Sequence, residues 1–253
     1  MVEMLQFKFT HVETQLECFA SREAREQLMQ WNIDSNLTVE KFRFAGAFSA
    51  NNAGDYDRIV KDFLRCGECM ARLQVGGTPA TPLLVQSQPV GTGVMSMDFF
   101  DRLEQFDICS NGGSIRQCME ENFDGIPAGD RLREVLLNED SDNASVFTPS
   151  ERLELIFLLF RLLVLGGSMC QPDVKVDRYL ALTKAFYRDV LTVYKDAATG
   201  QVAVSGRVFK IISAAGLDLF SHADKDIVNL LLLSVDPIKK QIVAIRMDYK
   251  PFW

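Results

Sequence analysis

The chain has 253 residues, 47% of them hydrophobic and 24% charged, with a formal net charge of −7 and an isoelectric point near 5.0. That composition suits a folded protein of one large domain or two small ones. The acid excess, all of it before residue 195, excludes an electrostatic grip on nucleic acid or anionic lipid, which needs clustered Lys and Arg.

The opening MVEMLQFKFT lacks the basic start and long apolar run of a signal peptide and the Arg-rich character of a transit peptide. The six cysteines (Cys18, Cys66, Cys69, Cys109, Cys118, Cys170) are therefore expected as reduced thiols without structural disulfides. Leu5, Phe7 and Phe9 alternate with Gln6, Lys8 and Thr10, the period of a half-buried strand. Ser21 is placed to cap a helix ending near Gln30 and Trp31, with Glu23 at its positive end. Residues 41–45 read as a short strand and 55–73 as a helix weakened by Gly67. Residues 74–93 are rich in Pro and Gly, with a short strand at 83–86. They mark a boundary between subregions 1–75 and 94–253 of a single α+β domain.

From Ser96 to Leu191 the pattern predicts helices over 97–106, 114–122, 129–138, 148–166 and 174–191. The run LELIFLLFRLLVLGGSMC raises three readings: membrane anchor, core helix or docking surface. A spanning helix needs about 20 apolar residues, whereas the uncharged positions from Leu155 to Leu165 are interrupted by Arg161. Thr148, Pro149 and Glu151 form a capping box, and Gly166-Gly167 a stop. At 100° per residue Ser150, Glu154, Arg161 and Ser168 share one narrow stripe. The expectation is a buried central helix over about 148–166 with one thin edge reaching water or a partner.

After Leu191 the period changes to two. Strands joined around 197–200 and a hairpin turning at Asp236-Pro237 predict an antiparallel β part over about 191–249. The fold class is thus α+β, with a helical middle, short N-terminal strands and a β C-terminal part.

Chemistry is sparse. Cys66 and Cys69 have the C-x-x-C spacing of a zinc or redox pair, but a structural zinc site needs two more ligands, and His11 and His222 are far apart. The loop from Cys109 to Ser114 leads toward the predicted helix 114–122 and has the small residues of an anion cradle without a P-loop ending. No nucleophile or metal motif such as G-x-S-x-G or H-E-x-x-H occurs. No catalytic, cofactor-binding or metal-binding residues are expected.

Several segments, in order along most of the chain, carry a resemblance. They are Gln30-Trp31, Met95-Ser-Met-Asp-Phe-Phe-Asp-Arg-Leu103, Leu132-Arg-Glu-Val-Leu-Leu and Glu139-Asp-Ser141. Phe157-Leu-Leu-Phe-Arg-Leu, Leu165-Gly-Gly-Ser-Met-Cys-Gln171, Tyr179-Leu180, Thr183-Lys184, Tyr187, Asp189, Val208-Phe209-Lys210 and Val235-Asp236-Pro237-Ile238 follow. With these the chain resembles the cilia- and flagella-associated protein 300 family. The resemblance implies a non-enzymatic factor, without cofactor, of the cytoplasm and the ciliary or flagellar axoneme. It implies support for preassembly of outer and inner axonemal dynein arms and their delivery by intraflagellar transport. The implied partners are other dynein assembly factors, axonemal dynein subunits and the transport machinery, with no nucleic acid and no membrane. A zinc- or redox-active role for Cys66 and Cys69 is the alternative. Candidate interaction residues are Glu139, Asp140 and Asp142 in an acidic loop, Arg161, and Trp253 in a C-terminus exposed together with Tyr249 and Phe252. An unpaired edge of the C-terminal sheet is a further candidate.

Overall fold

A computed structural model describes residues 5–13, 16–138, 140–195, 200, 202–224 and 227–251. The first half of the chain runs β1 (Lys8–Val12), α1 (Arg22–Gln30), β2 (Leu37–Ala45), α2 (Ala53–Arg65), α3 (Gly67–Arg72), β3 (Gly76–Gly77), β4 (Val85–Val90) and α4 (Arg102–Gln105). There follow β5 (Gln117–Phe123), β6 (Ile126–Asp130), α5 (Arg131–Leu137), α6 (Leu155–Leu165) and α7 (Asp177–Val190). The chain closes with β7 (Val193–Lys195), β8 (Val202–Val204), β9 (Arg207–Ala214), β10 (Leu217–Asp218), β11 (Leu230–Asp236) and β12 (Gln241–Met247). The class is mixed α+β, as expected.

Six strands form an antiparallel sheet in the order β1-β2-β12-β11-β9-β4. Its centre is β11 and β12, where Leu230 to Asp236 are all buried. Side chains alternate between two faces of a strand, and here both faces are covered. Leu230 and Leu232 join the larger core with α5, α6 and α7, while Leu231, Leu233 and Val235 join a second core with α2 and α3. A strand buried on both sides reads as a continuous apolar run, which accounts for Leu230-Leu-Leu-Leu233. The layer running through the middle is therefore the sheet. Helix α6, buried at every position except Arg161, lies on one side of it.

Several local expectations hold. Ser21 caps α1, its side chain accepting from Ala24 N at 3.0 Å. Asp236 Oδ1 accepts from the backbone N–H groups of Ile238 and Lys239 and opens the β11–β12 turn.

Others are corrected. Residues 114–122 are not a helix: they enter β5, which pairs with β6 through a two-residue turn. Asp124 and Gly125 both adopt positive φ, so the Asp-Gly dipeptide, a strong hairpin signal, outweighs the helix propensity of Gln, Met and Glu. The helix predicted over 55–73 breaks at Cys66, whose ψ of 106° is extended. That predicted over 148–166 is a 3-10 turn at Glu151–Leu153 followed by α6, with Glu154 extended between them. The reciprocal bonds of the capping box form, Thr148 N to Glu151 Oε2 and Glu151 N to Thr148 Oγ1, but they close the short turn. Gly91 then intervenes: its N–H donates to Leu153 O and its carbonyl accepts from Leu155 N. The predicted stripe of Ser150, Glu154, Arg161 and Ser168 consequently reduces to Arg161 alone on the helix.

The Pro- and Gly-rich region is built into the structure through β4, which pairs with β9, and β3, which pairs with β10. Pro89, lacking a donor, is tolerated because β4 is an edge of the sheet. The edges are thus β1 and β4, and β9, β11 and β12 are all interior. The expected free edge of the C-terminal strands in this sheet is filled by earlier segments of the chain.

Candidate functional site

The segment after α6 organises the polar centre of the larger core. An α-helix leaves its last carbonyls without internal partners and carries partial negative charge at that end. In α6 the carbonyl of Val164 is met by Arg133 Nη2 of α5 at 2.6 Å. Arg133 is 4% exposed, and its charge is balanced by Asp130, whose Oδ2 accepts from Nη1 at 2.8 Å. Asp130 also caps α5 through the Arg133 backbone N–H. Nη2 further reaches Tyr179 Oη and Cys170 Sγ.

Trp31, at the end of α1, is fully buried and stacks on Tyr179 with ring centres 4.5 Å apart. Its indole N–H donates to Asp173 Oδ2 at 2.9 Å, a residue 142 positions away, and Asp173 N–H in turn donates to Tyr179 Oη. Residues 166–174 are strapped across this pair. Gly167 N–H donates to Trp31 O and Gln171 N–H to Gln30 O. Gly166 turns the chain at φ +63°, and a Cβ on Gly167 would lie 2.1 Å from the Asn32 carbonyl oxygen. The Gly-Gly pair therefore does more than stop the helix: it lets the strap touch the backbone of α1's end.

Each polar group of this cluster engages a neighbour. Burial pushes the Cys170 thiol up, an effect Arg133 only partly offsets, and burial raises the Tyr179 phenol in the same way. Neither is a nucleophile or base at neutral pH. The arrangement is a staple joining α1, α5, α6 and α7.

The other candidates are placed as follows. Asp140 and Asp142 are exposed on a turn held by Asp140 N–H to Asn138 Oδ1 and by Ser141 Oγ to Glu134 Oε1. Glu139, Phe252 and Trp253 lie outside the described residues. Arg161 is half-buried, and its Nη2 donates to the Ile227 carbonyl, tying α6 to the segment before β11 instead of standing free as a rim charge. Tyr249, expected in an exposed terminus, is 4% exposed because its N–H is drawn to Asn229 Oδ1 and its ring joins the larger core.

Cys66 and Cys69 flank the start of α3, with Cys69 buried and its thiol pushed above the ordinary value by burial and by the neighbouring Cys66. A reactive dithiol needs a lowered value. Among the described residues no three His, Cys, Asp or Glu side chains gather to hold a metal ion, and no helix is long and apolar enough to cross a membrane. The Cys109 to Ser114 loop is a turn closed by Gly113 N–H to Ser110 O, with Gly112 N–H donated to the Glu104 carboxylate, a poor place for an anion.

Trp31, Arg133, the Gly-Gly strap and Tyr179 belong to four of the separate segments on which the resemblance rests, and they meet here. A family model described as Cilia- and flagella-associated protein 300 matches residues 6–247. The chain belongs to that family. A relative of that same description from Chlamydomonas reinhardtii is 30% identical over 90% of this chain and 92% of its own length. One from Paramecium tetraurelia is 27% identical over 90% of this chain and 88% of its own. No solved structure matches. What the family match adds is identity; the staple was not recognisable in the sequence, because nothing in the spacing of Arg133 or Trp31 announces a partner so distant along the chain.

Proposed function

We propose that this member of the family is a non-enzymatic factor that supports preassembly of outer and inner axonemal dynein arms in the cytoplasm and their delivery into the cilium or flagellum by intraflagellar transport. The observation that carries the reading is the family match over nearly the whole chain. The polar cluster agrees with it: its buried groups are committed to joining helices, as suits a rigid scaffold that works through its surface. In this reading it acts with other dynein assembly factors, dynein subunits and the transport machinery, and the exposed acidic turn at Asp140 and Asp142 is one surface for a partner.

The test is removal of the gene from a motile ciliated cell, followed by electron microscopy of axoneme cross-sections. Loss of both rows of dynein arms is expected, with an immotile cilium of ordinary length. Intact arms in the null cell refute the proposal.

A further inference from the structure

A groove of about 610 Å3 opens beside the staple, between the β5–β6 hairpin, the strap at 167–174 and Tyr249. That volume lies in the range of roughly 300–1,000 Å3 typical of ligand pockets. Its apolar lining includes Ile115, Leu165 and Val174, the last of them 70% exposed. Three carboxylates also line it, Glu120, Asp130 and Asp173, against one cation, Arg133, which is already paired with Asp130. Asp173 is held by Trp31 and Arg178. Glu120 is exposed, and among the described residues that line the groove Arg133 is the one cation. Tyr249 is a second sign: the residue is 4% exposed and borders the groove, and its hydroxyl, which makes no hydrogen bond among the described residues, is not one of the buried atoms there that lack a partner, so it opens to the groove. Such a hydroxyl is satisfied by water in the free protein and offers a polar anchor to an occupant that replaces that water.

We infer that this groove docks a basic segment of a partner protein, with a Lys or Arg side chain against Glu120, an apolar side chain against Val174 and Ile115, and a polar group of the segment completing the Tyr249 hydroxyl. Charge selects the occupant. The carboxylate excess repels an anionic lipid headgroup or an acidic peptide, and a second copy of a chain of net charge −7 is a poor fit. The inference does not depend on what the partner assembles, so it stands or falls apart from the dynein-arm reading.

The test uses the full chain and a fluorescein-labelled peptide alternating Lys with Val, read by anisotropy at physiological salt, with a counterpart carrying Glu in place of each Lys. Saturable binding of the first peptide only is expected. Glu120→Lys is expected to weaken it by about tenfold or more, since a charge-assisted contact becomes a repulsion. Tyr249→Phe weakens it too, with a smaller effect. Asp57→Lys makes the same charge change at an exposed position of α2, which packs on the other face of the sheet, and is expected to leave binding within about twofold of wild type, the small residue of long-range attraction that salt leaves. Matching circular dichroism and thermal unfolding of each variant separate lost binding from lost fold. Equal weakening by Glu120→Lys and Asp57→Lys, equal binding of the Glu peptide, or no saturable binding overturns the inference. So does self-association in sedimentation equilibrium that Glu120→Lys abolishes, which assigns the groove to a second copy.

Discussion

Replacing Arg133 by Met tests whether the buried staple holds the larger core together. The side chain is about the right length and fills the space, so the change removes the charge and its hydrogen bonds more than it removes volume. Asp130, whose side chain is 7% exposed, loses the cation that balances it, and the Val164 carbonyl at the end of α6 loses its donor. Breaking a buried ion pair by deleting one partner costs about 3–5 kcal/mol, because the remaining charge is stranded. For a chain of this size about 1 kcal/mol moves the melting temperature by roughly 2–4 °C, so the expected drop is roughly 6–20 °C. Urea unfolding followed by circular dichroism gives the free energy, with the slope checked for constancy. The double variant Asp130→Asn/Arg133→Met removes the stranded charge while keeping an Asn at the cap of α5, and is expected to recover part of the loss. A loss below about 1 kcal/mol in the single variant, or a double variant no more stable than the single, would refute the argument that a balanced buried charge ties α5 to α6.

Two glycines predict opposite outcomes for the same substitution. Gly167→Ala drives a Cβ to 2.1 Å from the Asn32 carbonyl oxygen and 2.6 Å from Asn36 Nδ2, so a loss of at least about 1–3 kcal/mol is expected in urea unfolding. Gly67→Ala meets nothing within 4 Å and is expected to be neutral or to stabilise by about 0.4–1 kcal/mol; equal effects at the two sites would contradict the close approach of the strap to α1's end. Asp248 predicts the acid limb. Burial by itself raises its carboxyl, but the hydrogen bonds from Ser221 and the charge of Arg246 together outweigh burial and hold it below the ordinary value. A carboxyl depressed in the folded state contributes stability that is present above the unfolded value of about 3.9 and lost as pH falls through the folded one. Asp248→Asn is therefore expected to flatten the fall of the urea midpoint below about pH 4, and an unchanged acid limb would remove Asp248 from that role.

The features legible in the sequence are those whose cause is local. Ser21 caps a helix because its hydroxyl reaches a backbone N–H three residues on. Asp236-Pro237 begins a turn because Asp236 bonds its own following N–H groups. The apolar run from Leu155 and its Gly-Gly stop mark a helix too short and too interrupted to be an anchor. The Asp124-Gly125 turn is equally local, and it outweighs the helix propensity of 114–122. The family, too, could be read from ordered motifs. Tertiary structure alone decided the rest, because it depends on segments that periodicity treats separately. Glu154 is pulled out of the helix by Gly91. β2 pairs with β12 and leaves β1 and β4 as the edges. Arg133, which in sequence is one more charge on a short helix, becomes a buried cation only because α6 ends against it and Asp130 stands beside it. Local rules govern how each segment bends; which segment covers which is settled by the apolar surface that remains once they have bent.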